Sequence, residues 1–318
     1  MTKQIFITGA SGCVGHYLVE ALLDQTDWRL FLLVRNPQKL QVRCKYPEQR
    51  SRLEILHGTM QDIGQYASLL GEMDYVVSTA ACWGGTEEVY STNVDKTLEL
   101  FGYLDPNRCD RAIYFSTASI LDSGNQLLPQ AEAIGPDYIR SKYICLQQIE
   151  QLPIRDRLIS VFPTLVFGGD DQYPKSHLSA GLGEVAAQVG LLRWFKADAS
   201  FHFIHAQDIA QVVTHLLTRA DVIKFDRPFP QRLVLGMTKM TANQAIAETA
   251  DFYGKRLWWQ FELNLNLIQI LIKLFGIQVG DWDYFCIQQR HFTYEITRPE
   301  DFGLTSAYPQ LSNLLADL

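Results

Sequence analysis

Seven short runs of apolar, largely β-branched and aromatic residues punctuate this chain. They fall near Lys3–Thr8, Leu30–Arg35, Leu53–His57, Tyr75–Thr79, Ala112–Ser116, Leu158–Phe162 and Arg232–Leu235. A strand with one face in water alternates in polarity, whereas a nearly unbroken apolar run belongs to a strand covered on both faces. Helix-like segments lie between the runs, at Val14–Asp24, Ile63–Leu70, Glu87–Leu104, Tyr138–Gln151 and Asp208–Arg219. Such β-α alternation predicts an α/β fold, a doubly wound parallel sheet of about seven strands with right-handed crossovers. The rhythm breaks after Gly168 and resumes over Phe203–Arg219. Helices dominate after Gly236, with aromatic residues grouped at Trp258-Trp259 and Trp282–Phe285. The pattern predicts a main domain built from residues 1–167 and 203–236, with a smaller, mainly helical lobe from 168–202 and 237–318.

Bulk properties narrow the partners. A chain of 318 residues buries a large core, and 47% hydrophobic with 20% charged residues is a globular balance. The net charge of −7 and the lack of a Lys/Arg stripe argue against nucleic acid as a partner. The six cysteines, at 13, 44, 82, 109, 145 and 286, form no CxxC or metal-finger spacing, so reduced thiols and no metal site are expected. An apolar run that starts almost at Met1 leaves no room for a signal peptide, and a cytoplasmic location is expected. The most apolar stretch, Leu263–Ile277, is shorter than a membrane span and is interrupted by Asn264, Asn266, Gln269 and Lys273. It reads as a helix packed on the protein, with membrane-surface or partner docking as the alternative.

The first run is followed at once by GASGCVG, Gly9–Gly15. Glycines spaced by three between a strand and a helix allow a tight turn at Gly9, close approach of a diphosphate at Gly12 and tight helix packing at Gly15. The uncapped N–H groups and positive end of the helix beyond suit a pyrophosphate, so Gly9, Ser11, Gly12, Cys13, Val14 and Gly15 are the candidate cradle. NAD sites place an acid at the tip of the second strand for the ribose 2′-hydroxyl. Here that strand ends Leu33-Val34-Arg35. Arg35, with Ser11 and Lys39, suits a 2′-phosphate through charge-assisted hydrogen bonds, which points to NADP over NAD.

Two further stretches carry chemistry. YIRSK places Tyr138 and Lys142 four residues apart, on one face of a helix. A phenol with its ordinary pKa of about 10 exchanges protons poorly near neutrality, and a neighbouring ammonium is expected to lower it. Lys142 could also hold the nicotinamide ribose. FSTAS, Phe115–Ser119, closes the fifth strand, at the edge where open α/β sheets bind ligands. Thr117 is the first choice for a hydroxyl that orients a substrate oxygen, with Ser116 and Ser119 beside it.

With these residues in view, the chain resembles the extended or atypical short-chain dehydrogenase/reductase superfamily of the epimerase/dehydratase kind, which shares a Rossmann-type fold. The matching pieces are TGASGCVG (Thr8–Gly15), STAA (Ser78–Ala81), N-V-x-x-T (Asn93–Thr97), FSTAS, YIRSK, PTLVFG (Pro163–Gly168) and FIHAQDIA (Phe203–Ala210), over roughly the first two-thirds of the chain. The resemblance implies that Tyr138 is the general acid/base, that Lys142 lowers its pKa and binds ribose, and that Thr117 orients the substrate oxygen. It implies that Asn93 braces the site, that Ala80 and Ala81 line the cofactor, and that Pro163 to Val166 meet the nicotinamide amide by their backbone. His205 and Asp208 read as structural, Asp208 as a helix cap. Two positions depart from the pattern. Thr59 stands where an adenine-reading acid is expected after Gly58, a role Asp62 is not expected to fill, and Phe162 stands where the family often has Arg.

Three functions fit. The first is an NADP-dependent carbonyl reductase or alcohol dehydrogenase acting on a small or lipophilic molecule, favoured by Arg35. The second is a sugar-nucleotide epimerase or dehydratase that retains NAD(P). The third is a non-catalytic NADP-binding sensor or assembly factor, which has no need of the Thr117/Tyr138/Lys142 set. Lys175, His177 and Arg193 could meet an anionic substrate, and the resemblance suggests a homodimer paired through 87–104 and 138–151.

Overall fold

The computed structural model describes residues 2–219, 229–274 and 278–317. Six strands, β1 (Gln4–Thr8), β2 (Arg29–Val34), β3 (Leu53–His57), β4 (Tyr75–Ser78), β5 (Arg111–Phe115) and β6 (Leu158–Pro163), run parallel in the order 3-2-1-4-5-6. Gln231–Leu235 adds to β6, and Ile296–Thr297 adds beyond it, which completes an eight-stranded sheet. The seven expected runs all lie in this sheet. The eighth strand comes from the far end of the chain and is two residues long, too short to show as a run in the sequence.

Helices cover both faces, which is why the strands are continuously apolar. On one face, helix α1 (Cys13–Gln25) and the helix Ala206–Thr218 pack on Ile5, Ile7, Leu30, Leu32, Val77 and Ile113. On the other, the segments around Met60–Leu70, Thr86–Gly102 and Asp137–Ile149 pack on Phe6, Phe31, Val76, Ala112 and Tyr114. A third core, with Phe167, Phe203, Met237, Leu311, Leu314 and Leu315, ties the strand Leu165–Phe167 to the C-terminal segment.

Several expected helices differ in detail. Ile63–Leu70 is a 3-10 helix over Met60–Tyr66 followed by one α-turn over Ala67–Leu70. Thr59 and Asp62 form its capping box, which starts the helix earlier than the apolar pattern suggests. Glu87–Leu104 is broken in the middle: Thr86–Tyr90 and Lys96–Gly102 are α-helical, and Ser91–Asp95 between them is a π-bulge. Leu263–Ile277 yields a helix over Leu265–Leu274, which meets the helix Asp281–Gln289 where Gln269 Nε2 donates to Tyr284 Oη (3.0 Å). Positions 275–277 of that stretch, like 220–228 of the expected main domain, lie outside the described residues. No helix among the described residues is long and apolar enough to cross a membrane.

Asp208 does not cap the helix Ala206–Thr218. His205 does so, its Nδ1 accepting from the Gln207 N–H (3.1 Å). The fully buried Asp208 carboxylate instead accepts from Ser306 Oγ (2.8 Å) and from the N–H groups of Ala307 (2.7 Å) and Tyr308 (3.2 Å). An acidic side chain in the first turn of a helix reads as a cap in the sequence. Its long-range role shows only once the fold brings residues 306–308 to it.

Candidate active site

Strand order reverses between β1 and β4, and a crevice at the carboxyl ends of such strands is where this architecture takes ligands. The two strand ends are stitched together. Thr79 Oγ1 donates to Thr8 O (2.8 Å), Ala80 N donates to Thr8 Oγ1 (3.3 Å), and Thr8 Oγ1 lies 3.2 Å from Ser78 Oγ. Gly9 turns here with φ +73°, and a Cβ on it would strike Thr79 Oγ1 at 2.4 Å and Ala80 N at 2.7 Å. A Cβ on Gly15 would come within 2.2 Å of Gly9 O and 2.7 Å of Ala10 Cα, so α1 packs on the turn only because that position is glycine. Gly12 differs: its Cβ would approach Gly9 O alone, at 3.2 Å, and otherwise project into open space. No side chain caps α1 at Gly12. An uncapped helix start behind an open glycine is the geometry a diphosphate requires.

The other expected cofactor contacts sit around this crevice in unequal states. Ser11 is half-buried and Ala81 exposed. Burial pushes the Cys13 thiol up to about 12, and Val14 packs into the core on the α1 face of the sheet. Arg35 and Lys39 are exposed beyond the end of β2, where Asn36 Oδ1 is engaged in capping Gln38 N (3.0 Å). Asp62 accepts from both N and Oγ1 of Thr59 (2.8 and 2.9 Å), which holds its carboxyl below the usual range and commits it to local structure. Between Pro163 and Val166, the N–H groups of Thr164 and Leu165 donate to Leu235 O (3.0 Å) and His202 O (3.3 Å). A ligand contact from that stretch must use other groups.

Sequence reading missed the side chain that organises the cradle. His16 Nδ1 lies 2.8 Å from Gly12 O, and its Nε2 accepts from Gln41 N (3.2 Å). Since the amide must donate, Nδ1 carries the ring proton and His16 is neutral; burial lowers its pKa accordingly. Its ring stacks on Tyr173 (4.6 Å between centroids), and Tyr173 also carries the Arg43 guanidinium over its face (4.2 Å). One histidine thus joins the glycine turn to the segment after β2 and to the loop after Gly168. Only its place next to Gly15 could have signalled this.

The helix Asp137–Ile149 carries Tyr138 and Lys142. Lys142 is 2% exposed, its Nζ donates to Phe115 O at the end of β5 (2.8 Å), and it lies over the Tyr114 ring (5.0 Å). Burial brings its pKa down to about 8. The expected lowering of the Tyr138 phenol by this ammonium is not found: burial alone pushes the phenol above its ordinary value. The ammonium is aimed at a carbonyl, and the phenol ring is covered by Trp83, stacked on it at 3.6 Å and 12°. Thr117 follows β5, two residues beyond Phe115, where its Oγ1 donates to Ser119 Oγ (3.3 Å) and accepts from Ser119 N (3.3 Å).

Asn93 braces this group. It is fully buried in the π-bulge, where one extra residue in the turn re-aims the side chain. Its Oδ1 accepts from Cys82 N (2.8 Å), and its Nδ2 donates to Cys82 O (2.9 Å) and Ser141 Oγ (3.1 Å). Ser141 in turn donates to Tyr138 O (2.8 Å). The loop after β4 and the helix bearing Tyr138 are therefore held by one amide.

An open glycine turn at the switch point, with a buried Lys142, a half-buried Tyr138 and a strand-end hydroxyl beside it, defines a Rossmann-type protein of the short-chain dehydrogenase/reductase kind. The sequence model of the NAD dependent epimerase/dehydratase family matches residues 5–229, and the chain belongs to that family. It is an enzyme of the extended short-chain dehydrogenase/reductase type that uses a nicotinamide cofactor. Solved structures agree in fold. The protein gox2253 is 17% identical with a TM-score of 0.69, over 99% of this chain and 96% of that one. A UDP-N-acetylglucosamine 4-epimerase from Methanobrevibacter ruminantium, in complex with UDP-N-acetylmuramic acid, is 17% identical with a TM-score of 0.65, over 99% and 96%. The enzyme WbmG from Bordetella bronchiseptica, in complex with NAD, is 14% identical with a TM-score of 0.64, over 100% and 93%. No curated protein matches in sequence.

Proposed function

We propose that this enzyme oxidises and re-reduces a carbon of a nucleotide-linked sugar while its nicotinamide cofactor stays bound, the chemistry of an epimerase or dehydratase. This replaces the carbonyl reductase that Arg35 favoured in the sequence. The family match supports it, as do neighbours described in complex with NAD and with UDP-linked sugars. The observation that carries it is the half-buried Tyr138, on a helix fixed to the end of β5 by Lys142 and to the β4 loop by Asn93.

When bound, the nicotinamide supplies reversible acceptance of a hydride. The chain supplies the rest. Tyr138 Oη takes the proton of the sugar hydroxyl as its carbon is oxidised and returns it on reduction. Thr117 Oγ1 gives up its bond to Ser119 to hydrogen-bond the reacting oxygen. Lys142, anchored by Phe115 O, would hold the nicotinamide ribose. The glycine turn and α1 take the diphosphate, and the smaller lobe, from 168–202 and 237–318, takes the sugar nucleotide.

The NADP reading stands on a separate observation. The tip of β2 carries exposed Arg35, with Lys39 on the turn after it and no acid. Arg35→Asp should then lower affinity for NADP at least about tenfold relative to NAD, since it removes a charge-assisted contact. Calorimetry with both nucleotides checks this, and an unchanged ratio contradicts the role.

A further inference from the structure

Trp83 lies in the loop after β4 and is 59% exposed, yet it is fixed in place. Before it, Cys82 has both backbone groups held by Asn93. After it, beyond Gly84 and the positive-φ Gly85 (+80°), Thr86 Oγ1 donates to Asp137 Oδ2 (2.6 Å), next to Tyr138. One end of the loop is thus tied to the brace and the other to the helix of the acid/base. Between them the indole lies flat on the Tyr138 ring. His177, the first residue of the helix His177–Ala187, stands 5.3 Å from the indole at 59°. Its N-cap Ser176 accepts from Ser179 N (3.0 Å), which sets the start of that helix.

A stacked pair normally hides both partners in a core. Here one ring is the proposed proton carrier, and the other remains more than half open with an imidazole at its edge. A pyranose presents a face of C–H bonds and a rim of hydroxyls. The electron-rich face of an indole suits the first, and an imidazole, which can donate or accept, suits the second. We propose that Trp83 and His177 form the shelf for the substrate's sugar ring, and so decide which ring carbon is presented to Tyr138. The proposal rests on the reading of Tyr138 as acid/base toward a nucleotide sugar. It locates recognition of the sugar apart from recognition of the nucleotide. The phenol's rise on burial fits a ring sealed by the same indole.

The test is calorimetric titration of wild type, Trp83→Leu and His177→Ala with UDP, UDP-glucose and UDP-N-acetylglucosamine, alongside tryptophan emission. Wild type should bind a nucleotide sugar more tightly than UDP, with a change in emission that Trp83→Leu abolishes. Each variant should weaken nucleotide-sugar binding about tenfold and change UDP binding by less than about twofold. The exposed site of Trp83 and an unchanged melting curve guard against misfolding as the cause. Equal binding of a nucleotide sugar by wild type and both variants overturns the shelf while leaving the proposed function intact. Failure of wild type to bind either sugar more tightly than UDP overturns the proposed function, and the shelf with it.

Discussion

Burying Lys142 costs the fold stability. An ammonium that is 2% exposed, bonded to a single carbonyl, is costly to bury, and its pKa of about 8 expresses that cost. The folded value lies below the ordinary one. The linked stability is therefore gained as pH rises from about 8 toward the ordinary value and is missing below it. The shift corresponds to roughly 3 kcal/mol, of which the lost bond to Phe115 O would return about 1. Lys142→Met should thus raise Tm at neutral pH by roughly 3 °C and abolish turnover. It should also remove the stability gain on the alkaline side. Calorimetric melts across pH check this, and a variant that melts several degrees below wild type would show the ammonium to be structural.

At the scale of elements, the two glycines Gly12 and Gly15 of the turn differ in the room around them. Gly15→Ala forces a Cβ to 2.2 Å from Gly9 O, backbone against backbone, and should cost about 3 kcal/mol by chemical denaturation. Gly12→Ala meets one atom at 3.2 Å, should alter stability by less than about 1 kcal/mol, and should weaken nicotinamide-nucleotide binding at least about tenfold. Equal losses of stability would refute the division. The turn itself was legible because glycine at fixed spacing between a strand and a helix leaves a pattern. The strands were legible because cover on both faces makes them continuously apolar. The π-bulge at Ser91–Asp95 was not, since one extra residue in a turn changes no composition. Nor was the stack of Trp83 on Tyr138, whose residues stand on different elements and meet only through contacts such as Thr86 with Asp137. Motif order identified Asn93, but only the fold shows that it clamps Cys82.

At the scale of the whole molecule, neutral histidines tie distant segments to the sheet. His16 joins α1 to the loops beyond β2 and Gly168, while His202 and His215 are likewise lowered by burial. His205 goes furthest. It caps the helix Ala206–Thr218, stacks on Tyr308 at 3.6 Å, and has its pKa lowered to about 4. A depressed folded value means the linked stability is present above the ordinary histidine pKa and is lost as pH falls toward about 4. Between about pH 7 and about pH 5 the loss should be about 2 kcal/mol. His205→Asn keeps a capping oxygen without the titration. Its urea midpoint should fall less than that of wild type over this range, and an identical fall would remove His205 from the acid response.

On the proposed function, Tyr138 moves a proton to and from a sugar hydroxyl while the cofactor stays bound. The most direct measurement is the near-ultraviolet absorbance of reduced nicotinamide in purified enzyme mixed with nucleotide sugars, in wild type and in Tyr138→Phe. Purified enzyme should carry bound nicotinamide at close to one equivalent per chain. Mixing should give a reduced-nicotinamide signal in wild type, and none in Tyr138→Phe at unchanged cofactor content. A wild type that holds no cofactor and oxidises added NADPH with simple carbonyl compounds, or a Tyr138→Phe variant that gives the same signal, would contradict it.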